Sequence, residues 1–389
     1  MSNGQPAQRT GFPYANRAVV EIDGTQYYEW ETVAVRLAIF EKPANTFRFT
    51  CSEASPPGQD WAAMRIIPGQ KCTIFLDGYV AITGEVVTRQ VYYDANQHTV
   101  EIQGQGLAGR LAEANVVSQT HEWNKITFNQ LARVICSPFG IGCVGSAVKD
   151  KVFDRISANP SETYWELLER HARATATPMG ETTTGQLALN PQGGGASAIE
   201  GSNILIGREV IHSLKAVGEG MEGGDFTTTG QRPGTDDSWG AEANQVHAEA
   251  PPITSDFGKG FLPKVGMHEI PGWSTDALKD RSKFEGNFAD TLQIWVTCTL
   301  LGWQRNGTLP PQGGLWTPGQ PVSVYSPMLI MYSRTLKLKA VTFTQDNQSG
   351  TRSTVELVNS LALGGEPGAG PGPSGASDAT GGGQIESPA

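Results

Sequence analysis

A strand pattern written twice constrains this chain more than any other feature. The first copy opens at Pro68-Gly69-Gln70, runs through the apolar strand Cys72–Leu76, turns at Asp77-Gly78 and returns from Tyr79 through Thr83-Gly84. It closes at Thr99-Val100-Glu101-Ile102. Asp-Gly between two apolar runs marks a tight hairpin, because a two-residue type I′ turn needs positive φ at both central positions. The second copy opens at Pro318-Gly319-Gln320, continues through Pro321–Tyr325 and closes at Thr354-Val355-Glu356-Leu357. Opener and closer stand five residues further apart there, an insertion that a surface loop absorbs at little cost. The expectation is a mainly β chain with an α+β insert: two similar small β-barrels plus a small α/β domain. Closure into barrels removes the strand edges that otherwise invite aggregation.

Length and composition agree with that reading. A chain of 389 residues exceeds one typical core, and 47 Gly with 24 Pro favour turns and short strands over long helices. The net charge of −10 argues against a nucleic-acid grip, which needs clustered Lys and Arg, though an acidic wall can surround DNA without holding it. Five cysteines are an odd number, and Cys51, Cys72 and Cys298 lie in apolar runs, so reduced structural thiols are expected. Met1–Thr10 lack an apolar core, and the longest apolar run, Leu292–Trp303, is too short to span a bilayer. The reading is a soluble protein with no membrane insertion, made in a reducing cytoplasm.

Along the chain, residues 1–16 read as an N-terminal arm, 17–112 as the first β-barrel and 113–202 as the α/β domain. Residues 203–362 read as the second β-barrel, with a long loop and helix insertion at about 219–290, and 363–389 as a flexible Gly/Pro-rich tail. A further hairpin is expected at Asp23-Gly24, and strands at Val33–Phe40, Thr46–Cys51 and Asn203–Ile206. Thr127 caps an expected helix to Ser137, and Ser161 is the expected N-cap of a helix over Thr163–Thr175. Gly180–Asn190 reads as a hairpin about Thr184-Gly185. Glu219–Gly240 reads as a long exposed loop or a partner-ordered segment, and Asp276–Phe288 as a weak helix broken at Gly286.

Catalytic chemistry is hard to assemble. His171 lies near Glu166 and Glu169, but helical metal pairs need i,i+4 spacing, and a solvated helix face is the simpler reading. Gly104-Gln105-Gly106-Leu107-Ala108-Gly109 matches a dinucleotide-binding pattern inside an antiparallel series, so the glycines read as a barrel exit. Cys136 and Cys143 form a possible metal or redox pair without a second pair to complete a zinc site. The acidic residues Glu219, Glu222, Asp225, Asp236 and Asp237 are spaced too irregularly for a calcium loop. No catalytic, cofactor-binding or metal-ligating residue is assigned, and an enzyme is not expected.

Ile67-Pro68-Gly69-Gln70 before Asp77-Gly78, then Thr83-Gly84 and Tyr93-Asp94-Ala95, resembles the N-terminal barrel of Mu-type phage tail proteins. The late run Gly302-Trp303, Gly307, Leu309 and Gly314-Leu315-Trp316-Thr317-Pro318-Gly319-Gln320 does so too, as do Trp123-Asn124-Lys125 and Pro160-Ser161-Glu162-Thr163 before the two helices. The resemblance, covering roughly 18–362, is to baseplate hub proteins of contractile-tailed phages, similar in plan to the T-even tail hub and late-control D proteins. It makes Pro68, Gly69, Gln70, Asp77, Gly78, Gly84, Gly302, Trp303, Leu315, Trp316, Pro318 and Gly319 the fold and assembly signature. It implies a structural homotrimer in the virion tail baseplate, assembled in the host cytoplasm. Two barrels per chain would give a pseudo-six-fold ring that adapts a hexameric tail tube to a trimeric spike around a channel for tape measure and DNA. The implied partners are the tail tube ring, the central spike and the baseplate wedge, with no cofactor and no sequence-specific nucleic-acid binding. The competing classes are a tail-associated cell-wall hydrolase and a spike-type carbohydrate-binding protein.

Overall fold

The computed structural model describes residues 17–28, 30–39, 41–42, 45–52, 66–94, 98–117, 122–191, 197–200, 209–219, 225–230, 240, 246–249, 263–267, 275–291, 294–305, 314–325 and 333–359. The expected arm, the C-terminal tail, the strand at Asn203–Ile206, Gly307 and Leu309 lie outside them.

The first unit is β1 (Ala18–Ile22), β2 (Thr25–Tyr27), β3 (Thr32–Ala38), β4 (Asn45–Ser52), β5 (Lys71–Leu76), β6 (Tyr79–Tyr93) and β7 (His98–Gly106). Both Asp-Gly turns have the positive φ pair of a type I′ hairpin: 50° and 80° at Asp23-Gly24, 51° and 81° at Asp77-Gly78. A short helix α1 (Gly109–Glu113) leads into the α/β domain of β8 (Glu122–Thr127), α2 (Phe128–Cys136), β9 (Cys143–Gly145), β10 (Val152–Ser157), α3 (Tyr164–Ala174), β11 (Met179–Glu181) and β12 (Leu187–Leu189). Thr127 caps α2 in a capping box with Gln130, as its sequence suggests. The second helix is capped two residues later than expected. Thr163, boxed with Glu166, takes the N-cap, while Ser161 sits in the preceding turn at φ 61°. The β11–β12 hairpin turns through Gly185 as expected.

The second unit comprises β13 (Ser197–Glu200), β14 (Glu209–Glu219), β15 (Asp225–Gly230), β16 (Val246–Glu249), β17 (Pro263–Met267), α4 (Thr275–Thr291), β18 (Ile294–Leu301), β19 (Pro321–Tyr325), β20 (Ser333–Asp346) and β21 (Gly350–Asn359). Two expectations are corrected here. The stretch read as a loop holds strand β15, which pairs with β16 and β17 in a separate three-stranded sheet. Helix α4 runs unbroken through Gly286, because its buried face packs: Leu278 and Phe284 are buried, and Ser282 Oγ donates to Thr228 Oγ1 of β15 at 2.7 Å. A glycine costs an interior helix only about 1 kcal/mol, which packing of this kind offsets.

The duplication is visible in the backbone. Gly69 and Gly319 both sit near φ 90°. Gly69 N donates to Val86 O and Val86 N to Gln70 O; Gly319 N donates to Leu338 O and Leu338 N to Gln320 O. A β-bulge follows each clamp, between Val86 and Thr88 and between Leu338 and Ala340. These anchors make β3, β4, β7, β6 and β5 equivalent to β14, β18, β21, β20 and β19, which pair in the same order. The anchored register also moves the closing strands by two positions from the Thr-Val-Glu match: Glu101 pairs with Thr50 as Thr354 pairs with Thr299. A shift of two keeps every side chain on its face, so alternation alone could not detect it.

The two units are not independent bodies. Strand β20 uses residues 333–337 to pair with β19 and residues 340–345 to pair with β3, joining everything into one 13-stranded sheet. Pairings β19–β13–β14–β18–β21–β20–β19 close a six-strand ring in the second unit, whereas among the described residues those of the first run from β1 to β3 without returning. The buried residues of both, from Val20 and Phe49 to Trp303 and Phe343, form one apolar core. Each large side chain so buried contributes about 1.5–3 kcal/mol.

Candidate functional site: the polar face of the joined sheet

Strand alternation gives the joined sheet two unlike faces. Val33, Val35, Leu37, Phe47, Phe49, Val341, Phe343, Val355 and Leu357 point into the core. Their neighbours Arg36, Thr46, Gln103, Thr342 and Glu356 lie half-buried on the opposite face, together with the exposed Arg48. That face runs without interruption from β18 through β21, β20, β3, β4 and β7 to β6.

Its charges are paired across strands. Arg36 on β3 donates to Glu356 Oε1 of β21 at 2.7 Å, to Thr342 Oγ1 of β20 at 3.1 Å and to both carboxylate oxygens of Glu41 at 2.8 and 2.9 Å. The hydrogen bond from Arg36 holds the Glu41 carboxyl below its usual range. Arg48 on β4 donates to Glu101 on β7 at 2.5 Å, and Gln103 donates to the same carboxylate. Burial pushes the Glu101 carboxyl up, but those two hydrogen bonds outweigh it and hold it low. Thr299 and Thr354 share a hydrogen bond at 3.2 Å. The face is therefore a polar, charge-neutralised surface of Thr, Gln and Arg–Glu pairs. A depression of about 350 Å³ on it is lined by Ala34, Arg36, Arg48, Val87, Gln103 and Thr342 among others, with no Asp, Glu, His or Cys.

The signature residues fall into two groups. Pro68, Gly69 and Gln70, with Pro318 and Gly319, form the two equivalent clamps, and Gly84 lies where any Cβ would strike the Gln105 carbonyl. The turn Asp77-Gly78 meets the other group: Gln304 Nε2 donates to Asp77 Oδ2 at 3.4 Å, and Gln304 bridges to Leu315. Gly302, at φ 77°, turns the chain so that Trp303 enters the core, where Trp316 is equally buried. The polar-face residues were missed in the sequence. Their signal was the Arg and Thr placed at alternate positions in Val-Ala-Val-Arg-Leu and Thr-Phe-Arg-Phe-Thr.

Other candidate chemistry takes a structural role. His171 is buried in α3, its Nδ1 bonded to the Leu167 carbonyl at 2.8 Å, not on the solvated face expected. Burial lowers its pKa to about 4. Glu166 pairs with Lys42 and Glu169 with Arg173, so neither carboxylate joins the imidazole. Burial raises the Cys143 thiol and takes Cys136 to about 12, far from a reactive thiolate. Over the glycine-rich exit, the Glu181 carboxyl fills the space beside Gly106 and the Gln105 side chain fills that beside Gly109, where a phosphate would have to lie. Among the described residues no three His, Cys, Asp or Glu side chains converge as a metal set, and no helix is long and apolar enough to cross a membrane.

Glu181 carries a pH prediction. Its Oε1 accepts from Ala108 N at 2.9 Å, and burial raises its pKa to about 8. A raised carboxyl pKa favours folding fully below the unfolded value of 4.5, and that contribution is lost as pH rises through about 8. Glu181→Gln keeps the acceptor without the charge. Relative to the parent, this variant is expected to gain on the order of a few kcal/mol in stability between pH 5 and pH 9, read from urea unfolding at both values.

The comparisons follow this architecture. Residues 17–106 match the model of the Mu phage baseplate assembly protein GpP-like N-terminal domain, and residues 108–191 match the baseplate hub protein gp44-like second domain. The chain is 23% identical over 355 residues to baseplate hub protein gp44 of Escherichia phage Mu, covering 88% of each chain. The 43 kDa tail protein of prophage MuSo2 from Shewanella oneidensis superposes with a TM-score of 0.69 at 20% identity, over 89% of this chain and 99% of that one. The tail protein from Neisseria meningitidis MC58 gives 0.68 at 16% identity, over 90% and 98%. The chain thus carries, in sequence order, a domain like the N-terminal one of the Mu phage GpP-like baseplate proteins and one like the second domain of the gp44-like baseplate hub proteins, and it resembles the Mu hub protein along most of its length.

Proposed function

We propose that this hub protein acts as a homotrimeric ring adaptor between a six-fold tail tube and a three-fold spike, with a central channel for tape measure and DNA. One observation carries the reading: two equivalent strand units are joined edge to edge inside one polypeptide by β3 and β20. Three such chains supply six near-equivalent units, the number a hexameric tube ring needs on one side, while the chain count of three suits the spike on the other. The polar face of the joined sheet is the channel lining. It carries Arg–Glu pairs and Thr and Gln side chains rather than the acidic wall suggested by net charge, so a polyanion passes without a lattice of bare cations to hold it. The domain over 108–191 lies outside the ring, available to the wedge. Assembly takes place in the host cytoplasm, in keeping with five free thiols.

The hydrolase alternative finds little support. A cleft of about 220 Å³ between α3 and α4 has two lining carboxylates, Glu169 and Glu285, but each is bound by an arginine one turn along its own helix. Seeding tests the adaptor role. Tail tube protein of the same particle, mixed with the purified chain, is expected to polymerise sooner and to carry the ring at one tube end in negative stain. Tube growth indifferent to the chain, with no ring at either end, would overturn the reading.

A further inference from the structure

We infer that the outer edge of β6 around Gln90–Tyr92 is the docking strand for β14 of a second copy of this chain, repeating between chains the joint that β20 and β3 make within one. The inference rests on the ring reading and names the contact that closes it.

In the second unit, β20 pairs by its early residues with β19 and by residues 340–345, past the bulge, with β3. In the first unit, the equivalent β6 pairs by residues 79–85 with β5 and then, past its own bulge, continues beside β7 alone. Its other edge has no strand partner among the described residues. The side chains there suit a covered surface: Val91 is 42% exposed and Tyr92 55% exposed, with Val87 exposed further back along the strand at the bulge. A long edge bearing β-branched and aromatic residues, without the Lys or Pro that guard natural edges, is a template for pairing.

The complementary edge is also present. Strand β14 is the equivalent of β3: Val35 pairs with Phe47 as Val217 pairs with Val296. Strand β3 gives its second edge to β20, whereas β14 gives only Glu209 and Val210 to β13 and leaves residues 213–219 without a second strand among the described residues. Among the described residues, each chain thus offers one unmatched edge of each kind. Such a contact is head-to-tail, and it ends only when a ring closes.

The internal joint sets the register. Phe343 faces Val35 and Thr344 faces Ala34. Carried to the equivalent strands, Val91 faces Val217 of the next copy and Tyr92 faces Ala216, antiparallel. Val91, exposed in the single chain but on the face of buried Val100, then extends the apolar core, and Tyr92 joins the polar face.

The test is site-directed disulfide formation in the full chain. Tyr92→Cys/Ala216→Cys is expected to give, under mild oxidation, covalent dimers and trimers on a non-reducing gel and nothing above three chains. Val87→Cys/Ala216→Cys, five positions out of register, is expected to stay monomeric on the same gel. Val91→Lys, at a position exposed in the isolated chain, is expected to abolish the oligomer in light scattering with the circular dichroism unchanged. A trimer by light scattering that does not cross-link at 92/216 and tolerates Val91→Lys would overturn this contact and leave the adaptor reading standing. A monomeric parent, even with the spike protein added, would overturn both.

Discussion

Replacing Trp303 with alanine is expected to lower the unfolding free energy by about 3–5 kcal/mol, the range for truncating a buried aromatic. Trp303 is fully buried in the core shared by the two units, and its Nε1 donates to the Thr344 carbonyl at 3.2 Å. The variant loses apolar burial, opens a cavity among residues on different strands, and leaves that carbonyl without its donor. Gly302 places the ring by turning at φ 77° and is fixed by two hydrogen bonds, from its N to Thr351 O at 2.9 Å and from Ser353 Oγ to its own carbonyl at 2.7 Å. The cavity therefore has a stiff wall on one side, which limits collapse. Urea denaturation followed by circular dichroism reads the loss as a fall in midpoint at constant slope. Trp303→Phe, which restores most of the ring, is expected to recover at least half of it. Equal effects of Phe and Ala would point to the hydrogen bond rather than packing.

Arg170→Ala should be nearly as damaging, at about 3–5 kcal/mol. Arg170 and Glu162 are both buried, at 9% residual exposure each, and meet through two hydrogen bonds of 2.9 Å. Arg170 also donates to the Ser157 carbonyl at 2.9 Å, and Glu162 accepts from Asn159 N at 2.8 Å. The pair thus ties α3 to β10 and to the turn that precedes the helix. Removing the guanidinium strands a buried carboxylate, and the penalty comes from that orphaned charge more than from the lost attraction. The double variant Arg170→Met/Glu162→Gln is expected to recover most of the stability, and a double-mutant cycle on thermal unfolding measures the coupling. Additive single effects would show that the pair does not act as a unit.

Much of this architecture was readable in the chain. Asp-Gly turns, period-two strands and the Pro-Gly-Gln repeat announce local geometry because glycine conformation and alternation are local matters. The clamp residues Gly69 and Gly319 adopt nearly the same φ and make the same hydrogen bonds, as their shared tripeptide suggests. What escaped reading was non-local. Nothing near Val33–Ala38 says that its free edge goes to residues 340–345, some 300 positions away, and so the copies looked like separate barrels. Strand β15, Asp-Phe-Thr-Thr-Thr-Gly, carries little apolar signal because its stability comes from pairing with β16 and β17 beneath α4. The polar face was hidden for a related reason. Arg36, Thr342 and Glu356 form a site only after three distant strands lie side by side, and each alone looks like an ordinary solvent-facing position.

The most direct test of the adaptor account is the native mass of the purified chain by light scattering, with two-dimensional class averages of the same sample. The account predicts about three times 41.6 kDa and a ring of six similar lobes around an open centre. A chain that stays monomeric with its spike partner present, or a closed particle with no central opening, would contradict it.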